Sequence, residues 1–357
     1  MKLIFAISVI AAAAATAAQA ATPMLYVFGD SLSDIGTLKR MTLGLYPPPS
    51  YWQGRFSSGP VWPEYLALLL GYDMYNKAVG GATSDNNDAS LISQAPLNLV
   101  NIPSCQDQIN LFRVTQPFYM LSSTRNSDIV VHEIGSNDFF AEVDKMTSGT
   151  LTQESFIATL SATVMDQLEQ LRRIGFKNFL IHGMPHMQAT PYAKEANIEG
   201  LVASTAARYN AVLRQQVAEW TATSRGLGNV TIVPLGEFVD ATALSPVVSH
   251  ALGLTNTDTP CINSTDDSSS QDENKLTALL NRVANAKDEN MCADPSAYYF
   301  LDTVHPTERF HRLLGYFIKH IVDAVRRGQT YDLSQANLLS LIRTYNLGTP
   351  APKPARV

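Results

Sequence analysis

The chain is short of several things, and each shortage excludes a class. It has three cysteines in 357 residues, too few to build a disulfide scaffold. It has no block of basic residues, and Lys+Arg (26) is outnumbered by Asp+Glu (32). A groove that wraps a nucleic acid backbone is therefore not expected. Beyond the first twenty residues, no stretch approaches the ~20 apolar residues a spanning helix needs. Glycine (20) and proline (19) are near ordinary usage, which excludes collagen-like and low-complexity chains. There is no internal repeat, no phosphate-binding P-loop and no Gly-x-Ser-x-Gly elbow, so the α/β-hydrolase fold proper is not supported. What remains is a chain that is 45% hydrophobic, enough to bury a substantial core.

Residues 1–20 read as a signal peptide. Lys2 supplies a positive start, Leu3 to Ala15 an apolar run, and Ala18-Gln19-Ala20 a small-x-small cleavage pattern. Cleavage after Ala20 removes Lys2 and takes the net charge from −6 to −7. Export makes free thiols less favoured. Cys261 and Cys292 flank a polar segment and are expected to close it as a disulfide loop, leaving Cys105 over. The triplets at Asn229 and Asn263 are glycosylation candidates if the host is eukaryotic.

Short apolar runs alternate with helical patterns. Strands are expected at Leu25–Phe28, Tyr75–Val79, Asp128–Ile134, Asn178–Ile181 and Val230–Leu235. Helices are expected at 61–70, 106–118, 153–173, 201–221 and 306–327, the last with Pro306 in its first turn. Residues 255–292 are rich in Thr, Asn, Ser and Asp and read as a mobile insertion; 349–357, with three prolines, reads as a disordered tail. Between leader and tail, residues 21–348 make one domain. Strands alternating with helices imply a parallel sheet covered on both faces, with sites at the carboxyl ends of its strands.

Three strand ends carry unusual chemistry: Gly29-Asp30-Ser31, Gly80-Gly81 and Gly135-Ser136-Asn137-Asp138. Ser31 is exposed by its turn, but a free serine is a weak nucleophile and needs a base. His305 is the candidate, with Asp302 three residues earlier able to turn back and hold the imidazole. A free imidazole titrates near 6.5, so such a base loses activity below about pH 6–7. Gly81 can present a backbone N–H and Asn137 its side-chain amide to an oxyanion, each worth ~3–4 kcal/mol in known hydrolases. Read singly, Asp302 is a helix cap, His305 a surface residue, Gly81 a tight turn and Asn137 an Asx-turn. Read together with Ser31, they make an acyl-transfer site. His182 and His186 are four apart, but Gly183 and Pro185 break any helix between them, so no metal is expected. Tyr51, Trp52 and Trp62 read as core before pocket lining.

These blocks resemble, in order, those of the GDSL or SGNH hydrolase family. The match runs through Phe28-Gly29-Asp30-Ser31-Leu32-Ser33-Asp34, Asn76 to Thr83, Gly135-Ser136-Asn137-Asp138 and Asp302-x-x-His305-Pro306-Thr307. The resemblance implies a flavodoxin-like three-layer α/β/α sandwich with a five-stranded parallel sheet. It implies Ser31 as nucleophile, Asp302 and His305 as its partners, and an oxyanion hole from the Ser31 N–H, Gly81 and Asn137. Gly81 is favoured over Gly80 because it precedes Ala82-Thr83. The segment Tyr51 to Trp62 is similar to a branch with secreted lipases, phospholipases, acyltransferases and many plant and fungal esterases. The 261–292 insertion departs from the family. The expected function is a secreted, cofactor-free serine esterase acting on lipid-like or simple acyl esters. A carbohydrate acetylesterase is the alternative substrate reading, and a non-catalytic secreted binding protein the alternative class.

Overall fold

Alternate residues of each central strand enter different cores, and this fixes the architecture. In the first strand, β1 (Met24–Gly29), Leu25 and Val27 face one apolar cluster while Tyr26 and Phe28 face another. The computed structural model describes residues 21–86, 99–264 and 274–351. The expected leader, 1–20, and most of the expected tail lie outside the described residues.

The elements follow in chain order. After β1 come α1 (Thr37–Met41), α2 (Trp62–Leu70), β2 (Asp73–Asn76), α3 (Cys105–Thr115) and β3 (Ile129–Glu133). Next are α4 (Ser136–Thr147), α5 (Gln153–Ile174), β4 (Asn178–His182), α6 (Pro191–Glu195), α7 (Glu199–Thr223) and β5 (Val230–Val233). The chain continues through α8 (Leu235–Ala243), α9 (Pro246–Ala251), β6 (Asn256–Pro260), α10 (Lys275–Ala284), β7 (Tyr298–Phe300), α11 (Glu308–Arg326) and α12 (Gln335–Thr344).

Strands β1 to β5 form one sheet in the order β2-β1-β3-β4-β5, every pair parallel. One face packs on α3, α5 and α7 through residues such as Phe112, Leu168 and Leu213. The other packs on α2, α8, α11 and α12 through Leu66, Phe238, Phe317 and Leu338. The result is the three-layer α/β/α sandwich that strand–helix alternation demands when both sheet faces must be buried. Among the described residues, no helix is long and apolar enough to cross a membrane.

The boundaries differ from expectation where side chains compete with the ladder. Strand β2 ends at Asn76 rather than at Val79: there Asn76 Oδ1 accepts the Ala78 N–H and its Nδ2 donates to the Ser33 carbonyl, while the Lys77 and Val79 N–H groups still donate to the Val27 and Gly29 carbonyls. Pro306 lies outside α11. It bridges back to Phe300, with the Leu301 N–H donating to the His305 carbonyl at 2.7 Å. Residues 301–305 thus form a tight return, and Thr307 takes the capping position. The 255–292 segment, expected as a mobile polar loop, contains strand β6 and helix α10 within its described part. Leu276, Leu279, Leu280 and Val283 recur at helical spacing behind an Asn274 cap, a local pattern that the surrounding polar composition hides. Cys261 and Cys292 are joined by a disulfide, and Cys105 is a buried thiol.

Candidate active site

Three of the expected residues follow three adjacent strands of the sheet. Ser31 follows β1, Gly81 lies beyond β2, and Asn137 occupies the second position of α4 after β3. In a parallel sheet these ends share one edge. The strand ends are locked from below. Gln108 brackets Gly29 by accepting its N–H and donating to its carbonyl, both at 2.9 Å. Glu133 accepts the Ser33 hydroxyl at 2.9 Å. Gly29 has no room for a side chain, since a Cβ there would meet the Glu133 carbonyl at 2.7 Å.

The 301–305 return brings Asp302 and His305 over this edge. His305 Nε2 lies 2.8 Å from Ser31 Oγ, and His305 Nδ1 lies 2.7 Å from Asp302 Oδ2. Asp302 Oδ1 accepts the backbone N–H groups of Val304 and His305, at 2.9 and 2.7 Å. The carboxylate therefore does both things its position allows: it caps the turn and holds the imidazole. Burial alone would raise the Asp302 pKa. The neighbouring His305, its hydrogen bond and the one from Tyr51 more than offset this and hold the carboxyl below its usual value. An ionised Asp302 fixes the proton on Nδ1 and leaves Nε2 as acceptor for the serine.

Gly81 and Asn137 line the same cavity as Ser31 and His305. The Gly80 N–H is engaged by Asp34 Oδ2 at 2.9 Å. The Gly81 and Ser31 N–H groups have no acceptor among the described residues. Gly81 has φ +81°, a conformation that glycine adopts without strain. Asn137 Nδ2 spends one hydrogen on the Ala82 carbonyl at 2.8 Å, which fixes the amide and leaves its second hydrogen available. Gly80 serves packing: a Cβ there would meet the Phe56 ring at 2.1 Å. That ring in turn lies 5.0 Å from the His305 ring.

Beneath Ser31 is a second pair of acids. Burial, then the charge of Glu133, pushes Asp30 well above the usual carboxylate range. Burial lifts Glu133 to about 7 against hydrogen bonds from Ser33 and Asp30. Two carboxyls so close do not both ionise. The pair therefore shares at most one negative charge beneath Ser31. His182 packs on Trp62 and His186 pairs with Asp240 at 2.7 Å. Among the described residues, no group of three or more His, Cys, Asp or Glu is placed to hold a metal ion.

Sequence reading missed one member of this network. Tyr51, taken as core, is fully buried, and its hydroxyl donates to Asp302 Oδ2 at 2.6 Å. Nothing in the local pattern marks it, because its partner lies 251 residues away. Tyr51→Phe removes that donor without leaving a cavity. The carboxylate, less satisfied, stabilises imidazolium more strongly. The acid limb of the kcat/KM profile should move to higher pH by about half a unit to one unit, equivalent to ~1 kcal/mol. A pH–rate profile identical to that of the parent would refute this role.

The chain matches the model of the GDSL-like Lipase/Acylhydrolase family over residues 25–318. It is similar to the secreted effector protein SseJ of Salmonella typhimurium, 28% identical over 200 residues, covering 55% of this chain and 43% of that protein. It is similar to the thermolabile hemolysin of Vibrio parahaemolyticus, 25% identical over 290 residues, covering 80% of this chain and 60% of that protein. A third relative is the phosphatidylcholine-sterol acyltransferase of Aeromonas hydrophila, 30% identical over 192 residues, covering 53% of this chain and 52% of that protein. The chain spans about half the length of these curated relatives.

Proposed function

The chain belongs to the GDSL-like lipase/acylhydrolase family, and from that membership we propose that it is a secreted serine ester hydrolase acting on lipid-like acyl esters. The observation that carries the reading is the hydrogen-bonded series Ser31–His305–Asp302 opening on an apolar cavity that Gly81 and Asn137 also line. Its chemistry follows from the geometry. Ser31 Oγ attacks the ester carbonyl while His305 Nε2 takes its proton. Charge gathers on the former carbonyl oxygen, where the N–H groups of Ser31 and Gly81 and the Asn137 amide stabilise it. Collapse expels the alcohol, protonated by His305, and leaves an acyl-enzyme on Ser31. Water, deprotonated by the same imidazole, then releases the acid. An alcohol in place of water would give acyl transfer, the reaction named for the Aeromonas relative.

Secretion is supported by the leader-like pattern of residues 1–20, by the Cys261–Cys292 disulfide and by the name of the Salmonella relative. Asn229 and Asn263 are both exposed, so a glycan could be accepted at either in a eukaryotic host.

Reaction of the protein with a fluorophosphonate tests the proposal, since the adduct marks the nucleophile. Asn137→Ala tests the oxyanion hole. It deletes a donor aimed at charge that exists only in the transition state, so kcat should fall about 10²–10³-fold with KM little changed. A variant with normal kcat would remove Asn137 from the mechanism.

A further inference from the structure

Helix α10 has a position in the molecule that its polar surroundings conceal. Its four large apolar residues, Leu276, Leu279, Leu280 and Val283, are all buried, and all four line the cavity that holds Ser31 and His305. No polar side chain of α10 lines it. The helix packs on α4, which carries Asn137 at its start and Phe140, another lining residue, one turn later.

The helix is also held in register with the reacting groups. The disulfide closes the neck of the segment. At that neck, the Cys261 N–H donates to the Phe300 carbonyl at 3.0 Å and the Ile262 N–H to the Leu301 carbonyl at 2.7 Å, immediately before Asp302. From the other side, the Tyr46 hydroxyl donates to the Leu280 carbonyl at 3.1 Å, and the Ser50 hydroxyl to the Ala286 carbonyl at 3.2 Å. Arg282 pairs with Glu195 of α6 at 2.7 Å.

We propose that α10 is the specificity wall of the active site, and that the apolar space it lines takes the acyl chain, making esters of medium or longer fatty acids the preferred substrates. The inference rests on the serine hydrolase reading above. Its physical basis is selective solvation. A glycerophosphate or sugar alcohol placed against this wall would lose water and find no partner on α10. An acyl chain gains about 0.8 kcal/mol for each methylene it buries. Because the neck is tied to Leu301 and the helix to Tyr46, the wall keeps a fixed distance from Ser31 and can discriminate by length.

The test uses p-nitrophenyl esters from acetate to palmitate, with the leaving group held constant, on the full chain. Leu279→Trp fills the cavity, so the ratio of kcat/KM for decanoate to that for acetate should fall about ten-fold or more. Leu279→Ala opens it, so the preferred chain should lengthen; this arm decides the matter if the tryptophan variant does not fold. Ratios within two-fold of the parent in both variants, with all three proteins active, would overturn the role of α10 and leave the serine mechanism standing. A parent protein that turns over none of the esters and takes no phosphonate at Ser31 would overturn both.

Discussion

Ser31→Ala should lower kcat on a p-nitrophenyl ester by at least about 10⁴-fold while leaving KM and the fold nearly as they were. In the proposed mechanism the Ser31 oxygen forms the covalent bond, and no described neighbour is placed to replace it. Ser33 is buried and its hydroxyl is committed to Glu133. Ser136 lines the cavity with its hydroxyl unpartnered, but no imidazole is hydrogen-bonded to it. Among the described residues, only Ser31 has an imidazole hydrogen-bonded to its hydroxyl. The residual rate would come from the oxyanion donors and from binding, which the substitution does not touch. Stability should change little. The one side-chain hydrogen bond lost is that to His305, in a site still open to water, worth ~1 kcal/mol. Kinetics, a melting curve and a fluorophosphonate digest check the three parts. An adduct on Ser136, or on any serine other than Ser31, would sink the assignment.

The Ser31 turn was legible in the sequence because its signal is local. An apolar strand running into Gly29-Asp30-Ser31 needs no tertiary knowledge to be read as a strand end. The same holds for Gly135-Ser136-Asn137, and for Asp302 with His305, where three residues suffice to fold a carboxylate onto an imidazole. The sheet was legible for a related reason: β1, β3 and β4 are buried on both faces, so each carries a run of at least three consecutive apolar residues.

What was hidden depended on distance or on averaging. Tyr51 reaches Asp302 from the far end of the chain, and only the fold reveals it. Asp30 and Glu133 perturb each other although nothing in a hundred intervening residues links them. Helix α10 was masked by composition, because its ten residues sit within a segment dominated by Ser, Asp and Asn. Its apolar spacing was present all along, but a window the width of the insertion averaged it away. The strand limit at Asn76 and the exclusion of Pro306 from α11 turn on single side-chain or backbone hydrogen bonds, which periodicity does not register.

His305→Ala should cost about as much as Ser31→Ala, and the double variant should be no worse than either alone, because nucleophile and base act as one unit. Asp302→Asn is the sharper experiment. Asp302 Oδ1 accepts two backbone N–H groups, so an asparagine there must keep its oxygen on that side. Its NH₂ then faces His305 Nδ1 and the Tyr51 hydroxyl, where the carboxylate had accepted from both. A donor at Nδ1 forces the imidazole proton onto Nε2, which can no longer accept from Ser31. The imidazole remains present but in the wrong tautomer. The expected loss in kcat is about 10³–10⁴-fold, smaller than for His305→Ala because a minor population of the right tautomer survives. The pH profile separates the parts. Asp302 is held below its usual range, so it does not supply an acid limb near neutral pH. His305→Ala should flatten that limb, since the group that titrates is gone. A His305→Ala protein with full activity, or one that keeps the acid limb of the parent, would show that the base lies elsewhere.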